Sequence, residues 1–130
     1  MYDDTIGGIR VTVKPHFLDD QSDPDDHHYV WAYSVRIENL GQERVQLLNR
    51  YWRITDGLGT VKEVRGAGVV GEQPVLKPGE AYEYTSGTPL STPSGIMVGT
   101  YEMQRDDGRT FDVAIPAFSL DSPHERASVN

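Results

Sequence analysis

The chain contains no cysteine in its 130 residues. That excludes disulfides, thiolate metal sites and cysteine nucleophiles, and leaves no sign of an oxidising compartment. Cations are scarce as well: 12 Lys and Arg stand against 20 Asp and Glu, for a net charge of −8. A field of that sign repels nucleic-acid phosphates and acidic membrane surfaces, so neither is an expected partner. No apolar run approaches the roughly 20 residues of a membrane-spanning helix. The start, Met1-Tyr2-Asp3-Asp4, lacks the basic and apolar regions of a secretory leader, and a cytoplasmic location is expected. Also missing are a G-x-S-x-G elbow, an H-E-x-x-H pair and a P-loop ending in Gly-Lys-Ser/Thr. His16 and His124 have no identifiable nucleophile beside them. No catalytic residue, metal-ligand set or cofactor is assigned, and the chain reads as a non-enzyme.

What is present is alternation. Tyr29, Trp31, Tyr33, Val35 and Ile37 hold the odd positions of a segment whose even positions include Ser34 and Arg36, the period of a half-buried strand. Ile9, Val11 and Val13 form an earlier strand expected to end near Pro15. Met97, Tyr101 and Met103 share a phase and pair, across the turn Asp106-Asp107-Gly108, with Phe111, Val113 and Ile115. Strands over Val61 to Val64 and around Tyr82 and Tyr84 flank the turn Lys77-Pro78-Gly79-Glu80. Between Val45 and Ile54 the apolar phase changes, as a bulge or a strand that switches sheets would require, and it changes again at Pro116, where the proline suggests an edge or kinked strand. About seven strands with no helical stripe predict an all-β fold, a β-sandwich. The reading is a single domain over 1–125, with a frayed polar tail from 121 to 130. Tyr29, Trp31, Tyr33 and Trp52 are expected in the core, and Ser86 at a strand end.

Two strings invite a functional reading. Gly66, Gly68 and Gly71 spell G-x-G-x-x-G, a spacing that lets backbone N–H groups approach a pyrophosphate. Pro74 and Pro78 forbid the helix a dinucleotide fold would place behind it. Residues 44 to 65 nevertheless hold Arg44, Arg50, Arg53, Lys62 and Arg65 against Asp56 and Glu63, a balance of +3 in a chain of −8. A phosphate site of Arg65, Gly66, Gly68 and Gly71 with Arg50 and Arg53 is one reading, with Tyr51 beside it. Glycines serving a bulge or tight turns are the other. The second string, Asp19 to His28, holds five aspartates and two histidines without EF-hand spacing, and reads as a solvated loop.

The strings Gln46-Leu47-Leu48-Asn49-Arg50-Tyr51-Trp52, Gly66 to Pro74, Pro78-Gly79-Glu80, Tyr84-Thr85-Ser86-Gly87, Gly99 to Met103 and Phe111 to Phe118 together closely resemble the bacterial ApaG family. The resemblance covers roughly residues 8 to 120. It implies an immunoglobulin or fibronectin-type-III-like sandwich. It also implies a link to cobalt and magnesium homeostasis, and carries a suggested pyrophosphate or nucleotide role for the glycine string. The function expected is a binding module that acts through a protein partner or, alternatively, a phosphate-bearing small molecule. Monomer and homodimer both remain open.

Overall fold

A computed structural model gives the arrangement of residues 2–124, the residues described below. Nine strands form: β1 (Tyr2–Ile6), β2 (Ile9–Phe17), β3 (Tyr29–Asn39), β4 (Val45–Asp56), β5 (Val61–Ala67), β6 (Val75–Leu76), β7 (Ala81–Leu90), β8 (Gly95–Arg105) and β9 (Thr110–Leu120). They make two antiparallel sheets, one in the order β1-β2-β3-β7 and the other in the order β5-β4-β8-β9, with β6 pairing β4 beyond the end of β5. The expected all-β sandwich is the fold.

Two strands exceed the seven expected. β1 folds back on β2 through Gly7 and Gly8, both at positive φ (59° and 83°), the two-residue turn that matches strand twist. β6 is two residues long and carries no periodicity to read. β2 also runs past Pro15 to Phe17. The Leu40 N–H donates to the Gly8 carbonyl and the Leu18 N–H to the Val30 carbonyl, so the even residues of β2 address β3 and the odd ones address β1. The missing N–H of Pro15 therefore points to the side where β1, whose last pair is Tyr2 with Val13, no longer reaches.

Both phase changes are bulges. Leu48 is an extra residue between the pairs Leu47–Met103 and Asn49–Glu102. In β9, Pro116 and Ala117 together face Val98 alone, between the pairs Met97–Phe118 and Gly99–Ile115. The turns over Lys77–Glu80 and Arg105–Arg109 close as expected. Ser86 does not end a strand: it lies within β7 opposite Tyr33, because β7 continues to Leu90.

Tyr29, Trp31, Tyr33 and Trp52 are all buried. At the centre, Tyr33, Trp52 and Phe118 meet with ring centroids 5.5 to 5.9 Å apart, joining the two sheets. Full burial of a large apolar side chain is worth about 1.5–3 kcal/mol, so this contact between layers fixes how the sheets align. The tail expected over 121–130 lies outside the described residues from 125 onward. Up to 124 the chain is held: Trp31 Nε1 donates to the Asp121 carbonyl at 2.8 Å, and His124 packs on Phe17.

Candidate functional site

The basic stretch and the glycine string meet in the β4–β5 hairpin. Its turn closes with the Asp56 N–H on the Thr60 carbonyl, and its far end with the Gly68 N–H on the Leu48 carbonyl. Hydrogen-bonded positions alternate along an antiparallel ladder, so Lys62, Val64 and Gly66 direct their backbone groups at β4. Val61, Glu63, Arg65 and Ala67 direct theirs away from the sheet. β5 is the last strand of its sheet, and that outer row has no strand beyond it.

The register separates the expected phosphate residues. Arg50 shares the parity of buried Trp52 and Ile54 and stands opposite Gly66, so its side chain lies at the inner face of the sheet. A Cβ on Gly66 would lie 2.8 Å from the Arg50 Nη1, so the guanidinium packs flat on the glycine. Nη1 donates to the carbonyls of Ala67 (3.1 Å) and Gly68 (2.9 Å). Arg65 stands opposite Tyr51 on the outer face, where its guanidinium lies 4.6 Å from the centre of the tyrosine ring. The Tyr51 hydroxyl donates to Glu63, which also faces Arg65 at 3.8 Å. That bond, ahead of all other causes, raises the Tyr51 hydroxyl above its ordinary range. Arg53 is exposed on the same outer face, in the row of Glu63 and Val98.

The loop after β5 spends its donors internally. Val69 and Glu72 exchange N–H to carbonyl bonds at 2.8 and 2.9 Å, with Val70 (φ 43°) and Gly71 (φ 83°) at the tip. Gln73 Nε2 adds a second donor to the Leu48 carbonyl at 2.9 Å. Of the string's N–H groups, those of Gly68, Val69 and Glu72 are already bound. Gly68 is fixed by shape: at φ 63°, its Cβ would lie 2.1 Å from the Glu72 carbonyl oxygen. Thus Arg65 and Arg53 share one face, Arg50 and Gly66 lie on the other, and Gly71 sits at the exposed tip. A groove of about 470 Å³ is lined by Arg65, Tyr51, Asn49, Thr100, Glu102 and Asp112 and also by Arg50 and Gly66, so these three expected phosphate residues, Arg50, Arg65 and Gly66, border one groove although their side-chain positions alternate between faces.

Three features were not singled out in the sequence. Ile96 and Val98 are 51% and 43% exposed on the outer face of β8, beside Val61 at 43%. Register places them in adjacent rows, Val61–Thr55–Ile96 and Glu63–Arg53–Val98. The signal was legible: Gly95–Arg105 carries apolar residues in both phases, which a half-buried strand does not need. The buried hydroxyls of Tyr84 and Tyr101 meet at 2.5 Å, and Tyr33 bonds Ser86 nearby. Burial pushes all three hydroxyls above their ordinary range, with Arg50 pulling weakly the other way. Lastly, the opposite sheet has its own groove of about 540 Å³, over Lys14, Ser34, Arg36 and Thr85.

The acidic string forms two short 3₁₀ turns, Asp19–Gln21 and Pro24–Asp26, between β2 and β3, and all five of its aspartates are exposed. Among the described residues no three His, Asp or Glu side chains converge as a metal-ligand set, and no helix is long and apolar enough to cross a membrane.

The sequence pattern of the ApaG domain matches residues 19–105. Protein ApaG of Paramagnetospirillum magneticum is 69% identical over the full length of both chains, and Protein ApaG of Rhodospirillum centenum is 62% identical, again over both full lengths. Among solved structures, an ApaA protein from Bordetella pertussis superposes with a TM-score of 0.87 at 48% identity, covering 95% of this chain and 98% of that one.

Proposed function

The chain belongs to the ApaG family, and on that premise we propose that it is a non-catalytic, cytoplasmic binding module that engages a protein partner through its second sheet. The observation that carries the reading is the exposed patch of Val61, Ile96 and Val98, which spans adjacent rows of one sheet face next to the unpaired edge of β5. Clustered apolar side chains beside polar neighbours mark association surfaces more often than isolated ones do. The cobalt and magnesium homeostasis implied by the family resemblance is served through that partner.

Photo-crosslinking tests the reading. A benzophenone side chain at position 98 is expected to capture a defined protein in cells, whereas the same group at position 14, on the opposite sheet, does not. Ile96→Asp should abolish the capture. Equal capture from both positions, or none from position 98, overturns the reading.

The alternative is a phosphate-bearing ligand held by Arg65 and Arg53, with Gly66, Gly68, Gly71 and Arg50 behind them. It draws support from the groove that Arg50, Arg65 and Gly66 border, where Arg65 and Tyr51 stack. Pyrophosphate titration should then shift the Val70 and Gly71 amides saturably, and a flat response at millimolar concentration removes it.

A further inference from the structure

The edges of the two sheets are not equivalent. β9 is broken by Pro116 and its bulge, β7 carries Pro89, and β1 has five residues with Asp3 and Asp4 exposed. Such devices discourage strand addition. β5 has neither proline nor bulge over Val61–Ala67, and is guarded by charge alone. Charge is a conditional guard, because it repels some strands and attracts others.

We propose that the β5 edge accepts an extended acidic segment as an added strand, a refinement that rests on the binding-module reading above. Val61, Glu63 and Arg65 turn their N–H and C=O groups outward and supply the ladder. The Ala67 carbonyl is already taken by Arg50, which sets one end of the usable edge. Side chains of an added strand that stand opposite Lys62, Val64 and Gly66 fall on the inner side. There Lys62 is exposed, and among the described residues it forms no ion pair. Gly66 has no side chain, so the residue opposite it reaches the Arg50 guanidinium lying on that glycine. Arg50 spends Nη1 on two carbonyls and retains three N–H donors on Nε and Nη2, for which the described residues supply no acceptor. A carboxylate fits those donors. Half-buried Val64 calls for an apolar residue between the two acids. The segment recognised thus reads acid-x-apolar-x-acid, a pattern that is the same in either strand direction.

The test is an amide titration of labelled protein with Ac-Thr-Glu-Thr-Val-Thr-Glu-Thr-NH2 and with its counterpart bearing lysine in place of both glutamates. The glutamate peptide is expected to shift Val61, Glu63 and Arg65 saturably and to slow their hydrogen exchange, while the β9 amides stay still. Lys62→Glu, a change at an exposed side chain, should weaken binding by up to about fivefold, the upper range of an exposed ion pair. Arg50→Lys, which keeps the charge but loses the fork, should also weaken it. No saturation at millimolar peptide, equal binding of the lysine peptide, or shifts confined to other strands overturns the inference. Capture from position 98 alongside any of these results leaves the binding-module reading standing and removes only this edge. Failure of both removes both.

Discussion

Arg50 and Arg65 lie one ladder step apart, Arg50 opposite Gly66 and Arg65 opposite Tyr51, yet they belong to different environments. Arg50 is turned inward, packed on Gly66 and bonded to two carbonyls of the following loop. Arg65 is turned outward, stacked on a tyrosine in solvent. The glycines divide in the same way. Gly68 is buried against the Glu72 carbonyl, whereas Gly71 has open space around its missing side chain. One spelling, G-x-G-x-x-G beside basic residues, therefore contains a structural half and a surface half.

The largest effect expected from this contrast is at the glycines. Gly68→Ala should destabilise the fold by about 3 kcal/mol, since it combines a left-handed backbone with a collision against backbone oxygen. Gly71→Ala shares only the left-handed cost, about 1 kcal/mol. Urea denaturation of the two variants checks the difference, and equal losses would break the contrast.

Next comes alkaline pH, which probes the inner side beside Arg50. Burial raises the Tyr84 and Tyr101 hydroxyls above their ordinary value of 10, so an unfolded chain releases these protons first. The stability they contribute is intact below about pH 10 and falls as pH rises beyond it, by about 1.4 kcal/mol per pH unit for each hydroxyl still protonated in the fold. Thermal melts from pH 9 upward should show this fall. It should become shallower in the Tyr84→Phe/Tyr101→Phe double variant, where only Tyr33 of the three buried hydroxyls remains, and change less in Tyr51→Phe, on the outer face.

The smallest effect separates the arginines themselves. Arg50→Ala should cost about 1–2 kcal/mol through its lost bonds to two carbonyls. Arg65→Ala should cost about 0.5 kcal/mol, the worth of an exposed cation over a ring. A reversed order in denaturant midpoints would assign the structural role to the outer face.

Much of this was legible in advance, and the rest was hidden for identifiable reasons. Alternation announces β3, β8 and β9 because one face of each is buried, and the phase changes at Leu48 and Pro116 announce their bulges. β1 was signalled only by Gly7-Gly8, since its own residues are mostly exposed polar ones. The site was less readable. Strings show which residues are near in sequence, but the division of Arg50 from Arg65 depends on parity across a ladder whose register the turn at Asp56–Thr60 sets. The Tyr84–Tyr101 pair joins the two sheets, and no local pattern announces a contact between layers.

The extra residue at Leu48 has a consequence beyond bending a strand. Before it, Val45 and Leu47 face inward on odd numbers; after it, Arg50, Trp52 and Ile54 face inward on even ones. Its carbonyl is also the anchor for Gly68 and Gln73. This single insertion works as a frame shifter, coupling the choice of which arginine enters the interior to the placement of the glycine loop. If the same residues ran on as a regular strand with no bulge, Asn49, Tyr51 and Arg53 would turn toward the core and Trp52 out to water, whereas deleting Leu48 would leave Arg50, Trp52 and Ile54 inside and remove the loop's anchoring carbonyl. One unpaired residue thus both sets which side of the hairpin each arginine takes and holds the glycine loop in place.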